Sequence, residues 1–377
     1  MTTHLPFTPF DLETIQSKWE QIVDFNLTES GVHPLRLEEL LADNPHSLDA
    51  LLRTELNYPH VNGNPELREN IARLYNGADL TNVLVTVGAA EANNIIMQTL
   101  MAPGKKLLTQ TPTYKQVWGL ALNAGHPVKT FGMLPEAGWA LDLDELNHHL
   151  SEQTQIIAIC NPNNPTGYIM TEEEMDAIVA AADRVGAWIL ADEVYRGAER
   201  IQEEEAASFY GRYDKVLALG SMSKAYGLPG LRVGWIVGPT DMLDAIWRRH
   251  EYTTITATML SNHLAAHALS PDVRPRLIQR TREYIRQGYP ILEGWMEEQE
   301  GLFSYVPPQA SAITFIRYHL EVNSTELMEV LCQEASVFVG AGDSFGMDHH
   351  LRIAFGQEKE VLEEAFGRIQ ATLEGLR

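Results

Sequence analysis

From residue 51 onward the chain alternates short, continuous apolar runs with longer amphipathic stretches. The runs fall at 83–87, 106–108, 156–159, 188–191, 216–219 and 233–237. Apolar runs of this length without strict alternation suit strands buried on both faces, and interleaved helical patterns supply the covering layers. The pattern predicts an α/β protein whose large domain is a mostly parallel sheet covered by helices. After residue 241 the pattern turns helical, with a long connecting segment over 273–300. It then changes character: a strand at 312–316, a helix at 324–334, a short strand at 336–339 and a terminal helix from about 359 predict a smaller α+β domain. The first 45 residues are more polar, with helical content at 12–21 and a turn at 30–34, and read as an arm. The expected organisation is an arm at 1–45 that also contributes to the small domain, a large domain at 46–275 and a small domain at 276–377.

Composition narrows the function without choosing it. A chain of 377 residues with 45% hydrophobic and 21% charged content suits two globular domains. Its formal charge of −23 repels polyanions, so nucleic acid is not an expected partner, and a bound phosphate needs a local cationic site. The acidic runs at 171–174 and 202–205 read as solvated helical surface. Cys160 and Cys332 sit in apolar surroundings and are expected to be reduced and buried, with too few thiols for a structural zinc cluster. No leader-like segment and no apolar stretch near the roughly 20 residues of a membrane helix is evident, so no membrane partner is expected and the expected location is cytoplasmic.

The candidate chemistry lies at the ends of the predicted strands. Gly88-Ala89-Ala90 opens a helix directly after the run at 83–87, where free amide hydrogens suit a phosphate and small side chains allow close approach. Asn161-Pro162-Asn163-Asn164-Pro165-Thr166-Gly167 makes a rigid turn after another strand. Asp192 and Tyr195 follow a third. An aspartate there can cap a helix, or hold the nitrogen of a pyridine ring protonated. Lys224 lies in Ser221-Met222-Ser223-Lys224, with Arg232 eight residues on. The serine hydroxyl and guanidinium together can hold one phosphate beside the lysine.

In these motifs the sequence resembles the fold-type I, pyridoxal-phosphate-dependent enzymes of the class I/II aminotransferase family, over nearly its whole length. The resemblance implies an aspartate-aminotransferase-like fold, with seven strands in the sheet of the large domain, and pyridoxal 5′-phosphate as cofactor. Lys224 would be the Schiff-base lysine, Asp192 the partner of the pyridine nitrogen, and Tyr195 with Asn164 the ligands of the ring 3-oxygen. Ser221, Ser223, Arg232 and the Gly88-Ala89-Ala90 amides would hold the phosphate, and Tyr114 would stack on the ring. Tyr58 would reach the phosphate of the partner subunit, implying a homodimer with shared active sites. Arg352, in His350-Leu351-Arg352-Ile353-Ala354-Phe355, would bind the substrate α-carboxylate with Asn164, and Gly31 would belong to a loop over the substrate. The implied reaction moves the α-amino group of an L-amino acid to a 2-oxo acid by way of pyridoxamine phosphate. A lyase, cyclase or oxidase built on the same residues is the alternative.

Specificity is less legible. No second arginine carries a motif that orients it toward a substrate side-chain carboxylate. Glu29, beside Gly31, either caps a turn or meets a basic substrate group. His263 and His267 stand one helical turn apart, but lack the glutamate and third ligand of a metalloprotease helix, so no metal is expected. The glycines do not form a dinucleotide fingerprint, and no segment before residue 45 would accommodate a nucleic-acid-binding domain.

Overall fold

The computed structural model describes residues 7–42 and 45–376; residues 1–6, 43 and 44, which fall in the arm as read from the sequence, and residue 377 lie outside the described residues. In the arm, a helix at Asp11–Trp19 leads to the two-residue strand β1 (Phe25–Asn26). The large sheet follows: β2 (Val83–Thr86), β3 (Lys106–Thr111), β4 (Val128–Leu134), β5 (Ala140–Leu141), β6 (Thr154–Cys160), β7 (Trp188–Asp192), β8 (Val216–Ser221) and β9 (Gly234–Val237). Their spatial order is β2-β9-β8-β7-β6-β3-β4-β5. The sheet thus has eight strands rather than the seven expected. The additional one, β5, is two residues long and pairs antiparallel with β4 at the edge. Of the other seven strands, only β9 runs against the rest.

Alternation along the central strands explains why they are apolar throughout. Leu107, Ile156, Leu190 and Leu217 face one hydrophobic cluster, and their successors or predecessors Leu108, Ile157, Ile189 and Ala218 face another. Both faces are covered, so the inner positions of both sets are buried, each large aliphatic side chain contributing about 1.5–3 kcal/mol. The helix Gly88–Leu100 closes one face with Ala92, Ile95, Ile96 and Leu100, a helical 3–4 spacing.

Two readings of the acidic runs need correction. Residues 202–205 are not helical, and Glu205 pairs with Arg196 and Arg274. Glu174 is buried: its carboxylate accepts from the Leu141 and Thr171 amides and from the Tyr168 hydroxyl, completing a capping box with Thr171.

A 25-residue helix, Arg274–Glu298, leads to the second sheet. That sheet is antiparallel, with order β10-β11-β14-β13 from β10 (Phe303–Tyr305), β11 (Ile313–Tyr318), β13 (Gly340–Ala341) and β14 (His350–Ala354). Between its members, β12 (Val337–Phe338) pairs parallel with β1. The arm then runs between the two sheets. Leu27 accepts from the Ala354 amide, His33 donates to Gly356, and Leu35 donates to Gly227 just beyond Lys224. These bonds carry residues 28–31 past β14 and the lysine loop.

Candidate active site

Five strands of the large sheet, β2, β3, β6, β7 and β8, end on the same side, the carboxyl edge where ligands gather in open α/β sheets. The segments that follow them carry Ala89 and Ala90, Tyr114, Asn164, Asp192, and Ser221 with Ser223 and Lys224. All of these line one cavity of about 470 Å³, joined by Arg232 and, from the second sheet, Arg352. Most of the residues singled out in the sequence therefore converge.

At one end, Ser221 Oγ accepts from the Ser223 amide at 3.1 Å and lies 3.0 Å from Ser223 Oγ. Arg232 Nη1 donates to Ser223 Oγ at 3.3 Å, while its Nη2 has no partner among the described residues. Gly88 has φ +72°, and a Cβ there would stand 2.6 Å from Arg232 Nη2. The backbone can approach the guanidinium only because no side chain intervenes. Two hydroxyls, a guanidinium and a helix N-terminus thus surround a space that suits a phosphate.

Asp192 Oδ1 accepts from the Val194 amide at 3.2 Å. Burial raises its carboxyl to about 6, with Glu193 adding to the rise and the Val194 amide and Lys224 opposing it. A protonated pyridine nitrogen is the cation this carboxyl lacks. Burial lowers the Lys224 ammonium, with the field of Glu29 acting against that and Arg352 adding to it. Tyr195 is 2% exposed, and its hydroxyl donates to Ser30 Oγ at 2.9 Å. Tyr114 donates to Glu13 Oε1 at 2.7 Å and packs edge-on against Phe10. The buried carboxyl, the tyrosine hydroxyl and the Tyr114 ring beside a phosphate cradle fit a flat, phosphorylated pyridine aldehyde.

Arg352 is 2% exposed on β14. Nη1 donates to Asn164 Oδ1 at 3.0 Å and Nη2 to the Thr28 carbonyl at 2.6 Å, and the guanidinium lies over the Phe345 ring. Three expected residues stand outside the cavity wall: Gly88, just behind Ala89 and against Arg232, and Tyr58 and Gly31. Tyr58 is 84% exposed. Gly31 backs onto the lysine loop, where a Cβ would meet the Ser223 carbonyl at 3.1 Å, and its neighbours Glu29 and Ser30 form the wall. Sequence reasoning missed Glu13, Glu20, Ser30 and Asn93, which also line it. The spacing of Glu13, Gln16 and Glu20 puts them on one helical face, but carries no sign of what that face meets.

Comparison with known proteins agrees with this geometry. The family described as "Aminotransferase class I and II" matches residues 27–369. The capreomycidine synthase of Streptomyces vinaceus is 30% identical over 92% of this chain and 89% of its own length. An aspartate aminotransferase of Streptomyces avermitilis is 28% identical over 84% of this chain and 81% of its own. Among solved structures, a PLP-dependent aminotransferase from Streptococcus suis 89-1591 has a TM-score of 0.92 and 30% identity, with 99% of each chain covered. The PLP-dependent cyclase OrfR shares the fold, with a TM-score of 0.88, 24% identity and 99% of each chain covered. The chain belongs to the class I and II aminotransferase family, and is a pyridoxal-phosphate-dependent enzyme.

Proposed function

We propose that the enzyme is an aminotransferase that moves the α-amino group of an L-amino acid to a 2-oxo acid. The observation that carries this reading is the meeting in one cavity of a burial-depressed lysine, the Asp192 carboxyl and a buried arginine, beside two serine hydroxyls and a second guanidinium. Residues 46–275 would hold the cofactor, and 276–377 with the arm would bring Arg352 to it. Bound there, pyridoxal phosphate supplies a carbonyl that condenses with amines and a ring that accepts the electron pair left at Cα.

The chain's own residues do the rest. Lys224 would hold the cofactor and, as a free amine, would take the Cα proton; burial lowers its proton affinity, which favours the neutral form that a base requires. Asp192 would hold the proton on the ring nitrogen. Tyr195 and Asn164 would bind the 3-oxygen, Tyr114 would cover the ring, and Ser221, Ser223, Arg232 and the amides of Gly88, Ala89 and Ala90 would bind the phosphate. Arg352 would fix the α-carboxylate and so orient the bonds at Cα. Tyr58 would serve the site of a second subunit.

The same residues can feed elimination, oxidation or cyclisation, and the likeness to a capreomycidine synthase supports that second reading. One assay separates them: the loaded protein is mixed with single amino acids and no acceptor, and cofactor and product are weighed by mass spectrometry. Pyridoxamine phosphate with the matching 2-oxo acid is the expected outcome. Product formed while the cofactor stays as pyridoxal phosphate would replace transamination by the second reading. No change with any amino acid would overturn both.

A further inference from the structure

The part of the cavity wall that the arm supplies is acidic. Along the helix Asp11–Trp19 and its C-cap, Glu13, Gln16 and Glu20 fall at spacings of three and four, which puts them on one face, and all three line the cavity. Glu29 joins them from the segment beyond β1. Glu13 is engaged with the Tyr114 hydroxyl and Gln16 with Thr28. Neither Glu20 nor Glu29 has a side-chain hydrogen bond or ion pair among the described residues. The cavity's cationic side chains are Lys224, Arg232 and Arg352. All three are committed in the reading above, which leaves none in this chain for a second carboxylate.

A second observation fixes the other end of the ligand. The buried Arg352 guanidinium has no carboxylate in ion-pair contact among the described residues, and its Nε–H has no hydrogen-bond partner. Buried charge is normally paired, so this side chain calls for an anion brought in from outside. The fields of Glu29 and Glu13 also fall on both Lys224 and Arg352, so these carboxylates act on the same space as the reacting amine.

We infer that the site selects α-amino acids whose side chain ends in an ammonium or guanidinium group, received by Glu29 and Glu20 while Arg352 takes the α-carboxylate. The inference rests on this cavity being the amino-acid site. The competing account is ordinary: a chain with 51 acidic and 28 basic residues places some carboxylates at any rim, and solvated ones discriminate little.

L-Arginine and L-citrulline have the same length and differ in charge, so they separate the two accounts. The cofactor-loaded protein is titrated with each, and with L-glutamate, reading heat and cofactor absorbance in parallel. Arginine is expected to bind about tenfold or more tightly than citrulline, with glutamate weakest. In the Glu20→Gln/Glu29→Gln double variant the arginine-to-citrulline ratio is expected to fall to about threefold or less. Citrulline binding as well as arginine, or a ratio unchanged in the double variant, would overturn the inference. Heat reports binding without chemistry. Discrimination without cofactor conversion therefore supports this inference and sinks transamination, whereas conversion that favours neutral or acidic amino acids does the reverse.

Discussion

Asp192 shows how a single position sets function against stability. Burial is the main reason its carboxyl is raised to about 6 in the cofactor-free fold. That value lies above the 3.8 of the unreacted side chain, so between the two the folded protein holds more protons than the unfolded one. Stability of the cofactor-free protein should then fall as pH rises from about 4 to about 6, by roughly 3 kcal/mol in all. Asp192→Asn removes the charge and keeps the shape. In the cofactor-free protein at pH 7.5 its thermal midpoint should rise by about 2–4 °C, and the gain should vanish at pH 4. Turnover of the loaded variant should drop about 100-fold or more, since the proton on the ring nitrogen loses its counter-charge. Scanning calorimetry at both pH values, with single-turnover kinetics, checks each part. Lys224→Ala should likewise abolish turnover. After borohydride reduction and unfolding, the cofactor mass should remain on the unchanged protein and be absent from the variant, which still binds it non-covalently.

At the scale of elements, the start of the helix Gly88–Leu100 is the most constrained. Gly88 has a left-handed φ of +72°, and Thr86 Oγ1 donates to its carbonyl. Burial pushes Glu91, one turn on, upward, but hydrogen bonds from His250, Thr253, Thr254 and the Val87 amide outweigh it and bring the carboxyl to about 2. The helix end is thereby tied to the loop after His250. Gly88→Ala should strain the backbone and push Arg232 aside, weakening cofactor binding by about tenfold or more in fluorescence titration while the far-ultraviolet circular dichroism stays native. Unchanged affinity would remove Gly88 from the phosphate site. Elements differed in how clearly the sequence announced them. β6, β7 and β8 are buried on both faces and read as unbroken apolar runs. β4 alternates, with Lys129 exposed and Phe131 buried, and gave no such run. β14 is wholly buried yet carries His350 and Arg352, because the site needs a cation inside. Lys224, Asp192 and Asn164 were legible because each sits in a local motif. Glu13, Glu20 and Ser30 were not, since their place depends on how the arm threads between two sheets, a long-range property that no local spacing encodes.

The molecule as a whole carries apolar surface that one chain does not cover. Leu48, Leu52, Leu56 and Tyr58 are 48%, 75%, 80% and 84% exposed, and Leu260 and Tyr252 are 41% and 92% exposed. A groove lined by Leu51, Asn57, Met259 and Leu264 links the two segments that bear them. Exposed aliphatic and aromatic side chains gathered in this way would suit the association of two copies that the reading of Tyr58 requires. The reading of Tyr58 as a ligand of the partner subunit's cofactor makes that surface functional as well as adhesive. Light scattering should give twice the 42.2 kDa of one chain. With a formal charge of −23 per chain, long-range repulsion opposes association, so dissociation should become easier as salt is lowered. Leu52→Glu/Leu56→Glu should yield monomers that lose cofactor on gel filtration. Tyr58→Phe should keep the doubled mass and weaken cofactor binding by about tenfold, the loss of one hydrogen bond to a charged group. The pair of variants separates assembly from chemistry: a Tyr58→Phe dimer with undiminished affinity would leave the surface as an interface and take Tyr58 out of the site, whereas an unchanged protein that runs as a monomer and retains its cofactor would remove both.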